Sequence, residues 1–387
     1  MKTDGRTLLR AMWCGLSAAV LIAVGVVAFS TQGFSTPPNV DTISSRVLPS
    51  PDVPGMQNPI IGKYLEKLAV LEPRRHEGLS IYPIIAKSTF PIGSYLTLDR
   101  ALKRGVLRVT ELGESAKVNT VLLENTSGEY IYIMSGEILK GAKQDRTMQN
   151  DLLAPPDSGK LKVHVFCTEH GRWVNKTESF EAAEYAVPNR VRQAAKVSKD
   201  QSSVWSSISE NQSRLQVETP TAAAKEVYAD KRVQDDIDPY IKTLSDVPEV
   251  HPRVVGVAAT FGKRILAVDI FGDTDMFRAL YPKLLKSYVV DVVGDAWTGT
   301  TTLKEIESFL SRAASAQWLP GQTDGVGAAL EFHKGTLHGS ALLYKEMLIH
   351  SDMFVGEVSM MAPPVGELNQ QVSPTPNLQQ RREQHTR

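Results

Sequence analysis

The sequence predicts a single α+β domain, mixed and strand-rich with surface helices, preceded by one N-terminal transmembrane or signal helix. Three observations carry that reading. An uncharged apolar stretch stands at residues 11–29. Pro-rich segments, poor in large apolar groups, bound residues 59–361 on both sides. Between those limits, short apolar or alternating runs separated by turn residues mix with runs of helical periodicity, and no internal repeat appears.

Lys2, Arg6 and Arg10 stand against Asp4 before the apolar stretch, and no Lys or Arg follows it until Arg46. That asymmetry puts residues 1–10 in the cytoplasm and the rest outside. As a helix, residues 11–29 reach about 28 Å, enough to cross a hydrocarbon core. A signal peptide has a shorter apolar core, so length favours a single-pass anchor with the C-terminal domain outside the cytoplasm. Cleavage near Ser30 is the alternative and would give a secreted or periplasmic protein. Cys14 precedes most of the apolar run and does not suit lipid attachment. Residues 30–58 hold five prolines and read as a solvated linker. Residues 362–387, rich in Pro and Gln without apolar periodicity, read as a disordered tail.

Within 59–361, Leu79 to Ala86 is an apolar strand run. Ser94 to Gly105 reads as a helix, with Thr97 as a cap, Leu98, Ala101 and Leu102 on one face, and Gly105 as its stop. Strands follow at Val106 to Glu111, Thr120 to Asn125 and Tyr130 to Met134, the last two joined by the turn Thr126-Ser127-Gly128. In Leu161 to Cys167, alternate residues share an apolar face. Residues 186–245 are polar with spaced apolar positions (Val204, Ile208, Val227, Val233, Ile237) and read as two or three exposed helices. A hairpin of Val254 to Thr260 and Arg264 to Phe271 comes next. A helix from Thr274 should be kinked or divided at Pro282. Thr302-Leu303-Lys304-Glu305 is a capping box opening a helix with Ile306, Phe309, Leu310 and Ala313 on one face. Two last strands are expected at Ala328 to His333 and His338 to Ile349.

The balance of 43 basic and 43 acidic residues, with no long Lys/Arg run, argues against a nucleic-acid partner. With Cys14 in the apolar stretch, Cys167 is left alone outside it, so the domain has no intramolecular disulfide and must rest on its core. No His-Glu-x-x-His and no Gly-x-Ser-x-Gly occurs. Gly141 is followed by Ala142-Lys143-Gln144, which is not a P-loop, and Gly325-Val326-Gly327 lacks the third glycine of a dinucleotide fingerprint. His164 with His170, or His333 with His338, could ligate a metal in principle, but scattered histidines are more often surface or core residues, so no metal site and no cofactor is assigned.

Two segments concentrate polar chemistry. Gly136 to Arg146 follows a strong strand and combines Glu137, Lys143, Gln144, Asp145 and Arg146 with two glycines that permit sharp turns. Such a set suits an anionic, phosphate-bearing ligand, because the Arg fork matches phosphate oxygens. The alternative is a solvated turn with local ion pairs. Cys167 to Trp173 ends another strand, where Glu169, His170 and Arg172 could meet a ligand and Trp173 could stack on it. Otherwise Trp173 is core and Arg172 pairs with an acid. Cys167, on an apolar face, reads as a buried hydrophobe.

These segments, with Gln201-x-x-Val204-Trp205, resemble the bacterial ADP-ribosylglycohydrolase- and rhodanese-phosphatase-associated protein domain family, over roughly residues 74–355. The resemblance implies an association with NAD- and ADP-ribose-processing domains and no defined reaction. It marks Glu137, Lys143, Gln144, Asp145, Arg146, Glu169, Arg172 and Trp173 as shared-motif positions. Three functions stay open: a site for a nucleotide- or phosphosugar-like ligand gripped by Arg146 and Arg172; a hydrolase with Glu137 or Glu169 as catalytic base; and an envelope interaction module whose motifs hold the fold.

Overall fold

The computed structural model describes residues 59–87, 95–112, 119–171 and 177–356. The chain opens with α1 (Pro59–Leu65), β1 (Leu68–Val70), β2 (Arg74–His76) and β3 (Leu79–Ala86). It continues through β4 (Tyr95–Thr97), α2 (Leu98–Lys103), β5 (Leu107–Glu111), β6 (Thr120–Asn125), β7 (Tyr130–Ile133), β8 (Glu137–Gly141), β9 (Arg146–Met148), β10 (Leu152–Ala154), β11 (Gly159–Cys167) and β12 (Phe180–Ala186). A helical stretch follows: α3 (Asn189–Gln193), a π-helical turn (Ala194–Ser198), α4 (Gln201–Arg214), α5 (Lys225–Ala229) and α6 (Lys231–Leu244). The last part holds β13 (Val254–Phe261), β14 (Arg264–Phe271), α7 (Thr274–Val290), α8 (Leu303–Ala314), β15 (Leu319–Pro320), β16 (Ala328–Lys334), β17 (Leu337–Tyr344) and β18 (Met347–Val355).

These elements make one mixed, strand-rich α+β domain. Its spine is a nine-stranded sheet in the order β1-β3-β13-β14-β18-β17-β16-β15, with β2 added beside β3. Central strands such as β13 (VVGVAATF) are buried throughout, because both sheet faces are covered. On one face Ile81, Val257, Ala259 and Phe354 pack against Ile237 and Tyr240 of α6 and Phe277, Leu280 and Leu284 of α7. On the other, Tyr82, Ile84, Ala258 and Val268 pack against Ile61 and Leu65 of α1 and Ile306, Phe309 and Ala313 of α8. The middle of the chain forms a three-stranded sheet, β10-β7-β4, and a six-stranded one, β12-β8-β9-β11-β6-β5. These two enclose a separate apolar core of Leu107, Val121, Leu123, Ile133, Leu139, Val163 and Phe180. Alternation within a strand does the sorting: β6 buries Val121, Leu123 and Asn125 and leaves its other residues half-exposed.

The capping box of α8 is present, with Thr302 and Glu305 bonding each other's backbone N–H. The hairpin of β13 and β14 is present, with Gly262 at φ +58 in its turn. Several expectations need correcting. The expected helix from Ser94 is strand β4 followed by α2, and Thr97 makes no side-chain cap bond. α7 runs undivided through Pro282. The long final strand is β17 and β18, folded back at Lys345-Glu346, which take φ +50 and +63. Neither residue carries the turn chemistry that announces a positive-φ hairpin. Strands β8, β9, β10 and β12 were not expected either. Among the described residues no helix is long and apolar enough to cross a membrane, and the apolar stretch 11–29 lies outside them.

Candidate functional site

The motif turn is built around Glu137. Gly136 takes φ +85, and a Cβ there would meet Cγ of Arg192 at 2.4 Å, so a glycine lets the arginine stem pass. Glu137 then bends back: its Oε2 accepts the Met134 N–H at 2.8 Å and its Oε1 accepts Lys283 Nζ at 2.7 Å. Lys283, from α7, also pairs with Asp99 of α2. Burial pushes the Glu137 carboxyl above the usual range, although Lys283 pulls the other way.

Eight residues on, Asp145 Oδ1 accepts the Gly141 N–H at 2.9 Å, closing the β8–β9 turn. Its Oδ2 pairs with Lys225 Nζ at 2.7 Å, and Lys225 lies 3.5 Å from Glu169. Arg146 sends Nη1 to Gln144 Oε1 (3.0 Å) and to Cys167 Sγ (2.8 Å), while Nη2 reaches Glu111 Oε1 at 3.5 Å. Lys143 is half-buried, and its backbone N–H donates to Glu111 Oε1 at 3.3 Å. Burial raises the Cys167 thiol to about 11 despite Arg146 beside it, so it stays protonated near neutrality. Gln201, the first residue of α4, brackets the Cys167 peptide: its Oε1 accepts the N–H at 2.8 Å and its Nε2 donates to the C=O at 2.9 Å. Trp205, one turn further along α4, meets the His170 ring edge-on at 4.3 Å.

The sequence-predicted residues therefore divide. Gln144, Asp145, Arg146 and Glu169 are brought together, Lys143 stands beside them, and Glu137 belongs to a separate ion cluster with its own lysine. Arg172 and Trp173 lie outside the described residues. A cavity of about 350 Å³ at the seam between β5 and β12 is lined by Leu102, Leu107, Val109 and Phe180, with none of the predicted residues among its walls.

A second polar centre was not foreseen. Asp269, Asp352 and Ser340 stand directly opposite one another on β14, β18 and β17. Two aspartates so placed repel. Arg192 resolves this by binding Asp269 with Nη1 (3.3 Å) and Nη2 and reaching Asp352 at 3.5 Å. Tyr288 of α7 donates to Asp269 as well. One turn beyond Arg192, the π-helical turn delivers Lys196, whose Nζ lies 3.0 Å from Asp352, 2.6 Å from Ser340 Oγ and 3.7 Å from Asp151. His350 joins the two sheets, with Nδ1 at 2.9 Å from Asp151 and Nε2 at 3.3 Å from Asp269. Asp151 also accepts the Ser135 N–H at 2.8 Å.

Three carboxylates thus face three basic groups, all buried. Burial opposes charge throughout, and the pairing overrides it. Lys196 and His350 hold Asp151 far below the carboxylate range, and Arg192 and His350 do the same for Asp269. The same pairing lifts His350 to about 9, so it is an imidazolium at neutral pH. A narrow cleft lined by Asn150, Asp151, Lys196, Gln322, Glu331 and Ser340 reaches this network from outside. The signal that could have found it is a polar residue inside an apolar strand: Asp269 in AVDIF, and His350 and Asp352 in LIHSDMFV.

A model of the ARG and Rhodanese-Phosphatase-superfamily-associated Protein domain matches residues 67–354, well over half of the chain. No curated protein and no solved structure matches it.

Proposed function

The chain belongs to the family of the ARG and Rhodanese-Phosphatase-superfamily-associated Protein domain, and we propose that it serves as a membrane-tethered interaction module outside the cytoplasm, in which the shared motifs hold the fold and the surface meets protein partners. One observation carries this reading. Glu137, Gln144, Asp145, Arg146 and Glu169 are each at most 4% exposed, and each bonds to other groups of the domain.

With its Nη1 and Nη2 bound to Gln144, Cys167 and Glu111 and its unbonded Nε buried, the Arg146 guanidinium forks onto an external phosphate at the expense of those partners. A general base must reach a substrate or a water, whereas Glu137 and Glu169 each face their own lysine inside the protein. The interaction-module reading fits both facts. The tether rests on the uncharged stretch 11–29 and on the basic residues before it. Reporter fusions after residue 58 should be active only outside the cytoplasm; activity inside would remove the topology.

The decisive experiment is a thermal-shift panel on the full-length chain with ADP-ribose, NAD, nucleotides and phosphosugars. The module reading expects no ligand-dependent shift, and expects Arg146→Met to lower the melting temperature in every condition alike. A ligand at a hundred times its dissociation constant would stabilise by about 2.7 kcal/mol. A shift of that kind, abolished in a still-folded Arg146→Met, would replace the module with an anion-binding site.

A further inference from the structure

His333 and His338 are paired residues of β16 and β17, directly opposite in the ladder. Their ring centroids are 4.0 Å apart at an interplanar angle of 83°. The pair stands one row beyond Ser340 and Asp352 on the same sheet face, since side chains alternate with period two. His333 is exposed, whereas His338 is only 8% exposed and its Nε2 has no hydrogen-bond partner. A buried imidazole nitrogen without a partner is a standing cost, because such groups in folded proteins are almost always satisfied. The network does not meet that need: Lys196 is committed to Ser340, Asp352 and Asp151, and Lys199 to Glu331.

We propose that His333 and His338 form a two-imidazole site for a borderline divalent transition-metal ion, of the class of Cu²⁺, Ni²⁺ or Zn²⁺. Cross-strand residues in register hold their Cβ atoms about 5 Å apart, a spacing from which two imidazoles can reach one ion. Imidazole nitrogen selects these ions over Mg²⁺ and Ca²⁺, which take oxygen ligands. Among the described residues no group of three or more His, Cys, Asp or Glu is placed to hold a metal ion, so water or a partner supplies the remaining positions and one side of the ion stays open.

The test is titration of the full-length chain, in detergent, with Cu²⁺ alone, read by stoichiometry and by the nitrogen couplings in its electron paramagnetic resonance spectrum. The wild type should bind one equivalent more than His333→Gln, and that equivalent should show coupling to two imidazole nitrogens and survive a large excess of Mg²⁺. His338→Gln should lose the same equivalent. Because His338 is buried, the exposed His333→Gln variant decides the matter if His338→Gln fails to fold. Equal stoichiometry and unchanged couplings in wild type and His333→Gln would overturn the site, leaving the two rings as a packing contact.

Discussion

The motif turn and the junction network are both buried and both dense in charge, yet they are assembled in opposite ways. The motif places Glu137, Gln144, Asp145 and Arg146 within ten residues, and lysines from distant helices complete it: Lys225 for Asp145, Lys283 for Glu137. The network takes Asp151, Arg192 with Lys196, Asp269, and His350 with Asp352 from four places in the chain, and its members pair with one another. Proximity in sequence thus reveals a local concentration of charge and says little about whether water reaches it. What decides burial is the layer that folds over it, here α5 for one part of the motif and α7 for another.

The comparison breaks most sharply at Arg192. Replacing it with Met leaves Asp269 and Asp352 opposite each other in a buried row, with one guanidinium fewer to separate them. Removing one partner of a buried pair costs about 3–5 kcal/mol, mostly from the charge left behind. Urea unfolding of the full-length chain should show that loss. A loss below about 1 kcal/mol would mean that water or Lys196 readily takes the arginine's place.

The next largest effect is a pH dependence centred on His350. Its folded value of about 9 lies above the ordinary 6.5, so its stabilisation is complete below pH 6.5 and is lost as pH rises through about 9. At 1.36 kcal/mol per unit the contribution is about 3 kcal/mol. Asp151 and Asp269 work in the opposite direction: their folded values are depressed, so their stabilisation is present above the ordinary carboxylate range and lost as pH falls below it. Stability should therefore peak between about pH 4 and 6.5 as far as these groups decide it. His350→Asn should flatten the decline between pH 6.5 and 9; an unchanged slope would assign that decline to other groups.

How much of this was legible in the sequence follows from the same contrast. Apolar periodicity located β3, β6, β11, β13, β14 and α8, because each buries a regular stripe or a whole run. It failed for β8 and β9, whose Glu137 and Arg146 are buried by pairing and not by apolarity. The polar motif was visible as a cluster, but its partners Lys225 and Lys283 are ordinary helix lysines at their own positions in the chain. Gln201 and Trp205 were noticed as a pattern, while Gln201's hold on Cys167 depends on where α4 begins.

A smaller effect is expected at Lys283. In Lys283→Met the Glu137 carboxyl loses its cation but retains the Met134 N–H, and burial already favours its neutral form. Protonation limits the damage to about 1–3 kcal/mol. The pH response should have a definite sign. A carboxyl whose folded value is raised binds its proton more tightly in the folded state, so the variant loses stability as pH rises from the ordinary carboxylate range through the raised folded value and regains it on acidification. Glu137→Gln added to Lys283→Met should remove that pH response. If the double variant keeps it, Asp99 is the group responsible.

The smallest effect is expected at Gln201. Truncation to Ala removes two neutral hydrogen bonds to the Cys167 peptide from a partly buried site, at about 1 kcal/mol each before water replaces them. Global unfolding will barely register this, but local opening should. Cys167 is buried, and its peptide is tied to α4 through this side chain, so loosening the end of β11 exposes the thiol more often. In a Cys14→Ser background Cys167 is the sole thiol, and its labelling by a disulfide reagent should accelerate several-fold in Gln201→Ala, while Asn211→Ala, further along the same helix, leaves the rate unchanged. Equal acceleration in both would show that α4 moves as a unit and that the glutamine bracket has no separate part in holding the motif closed.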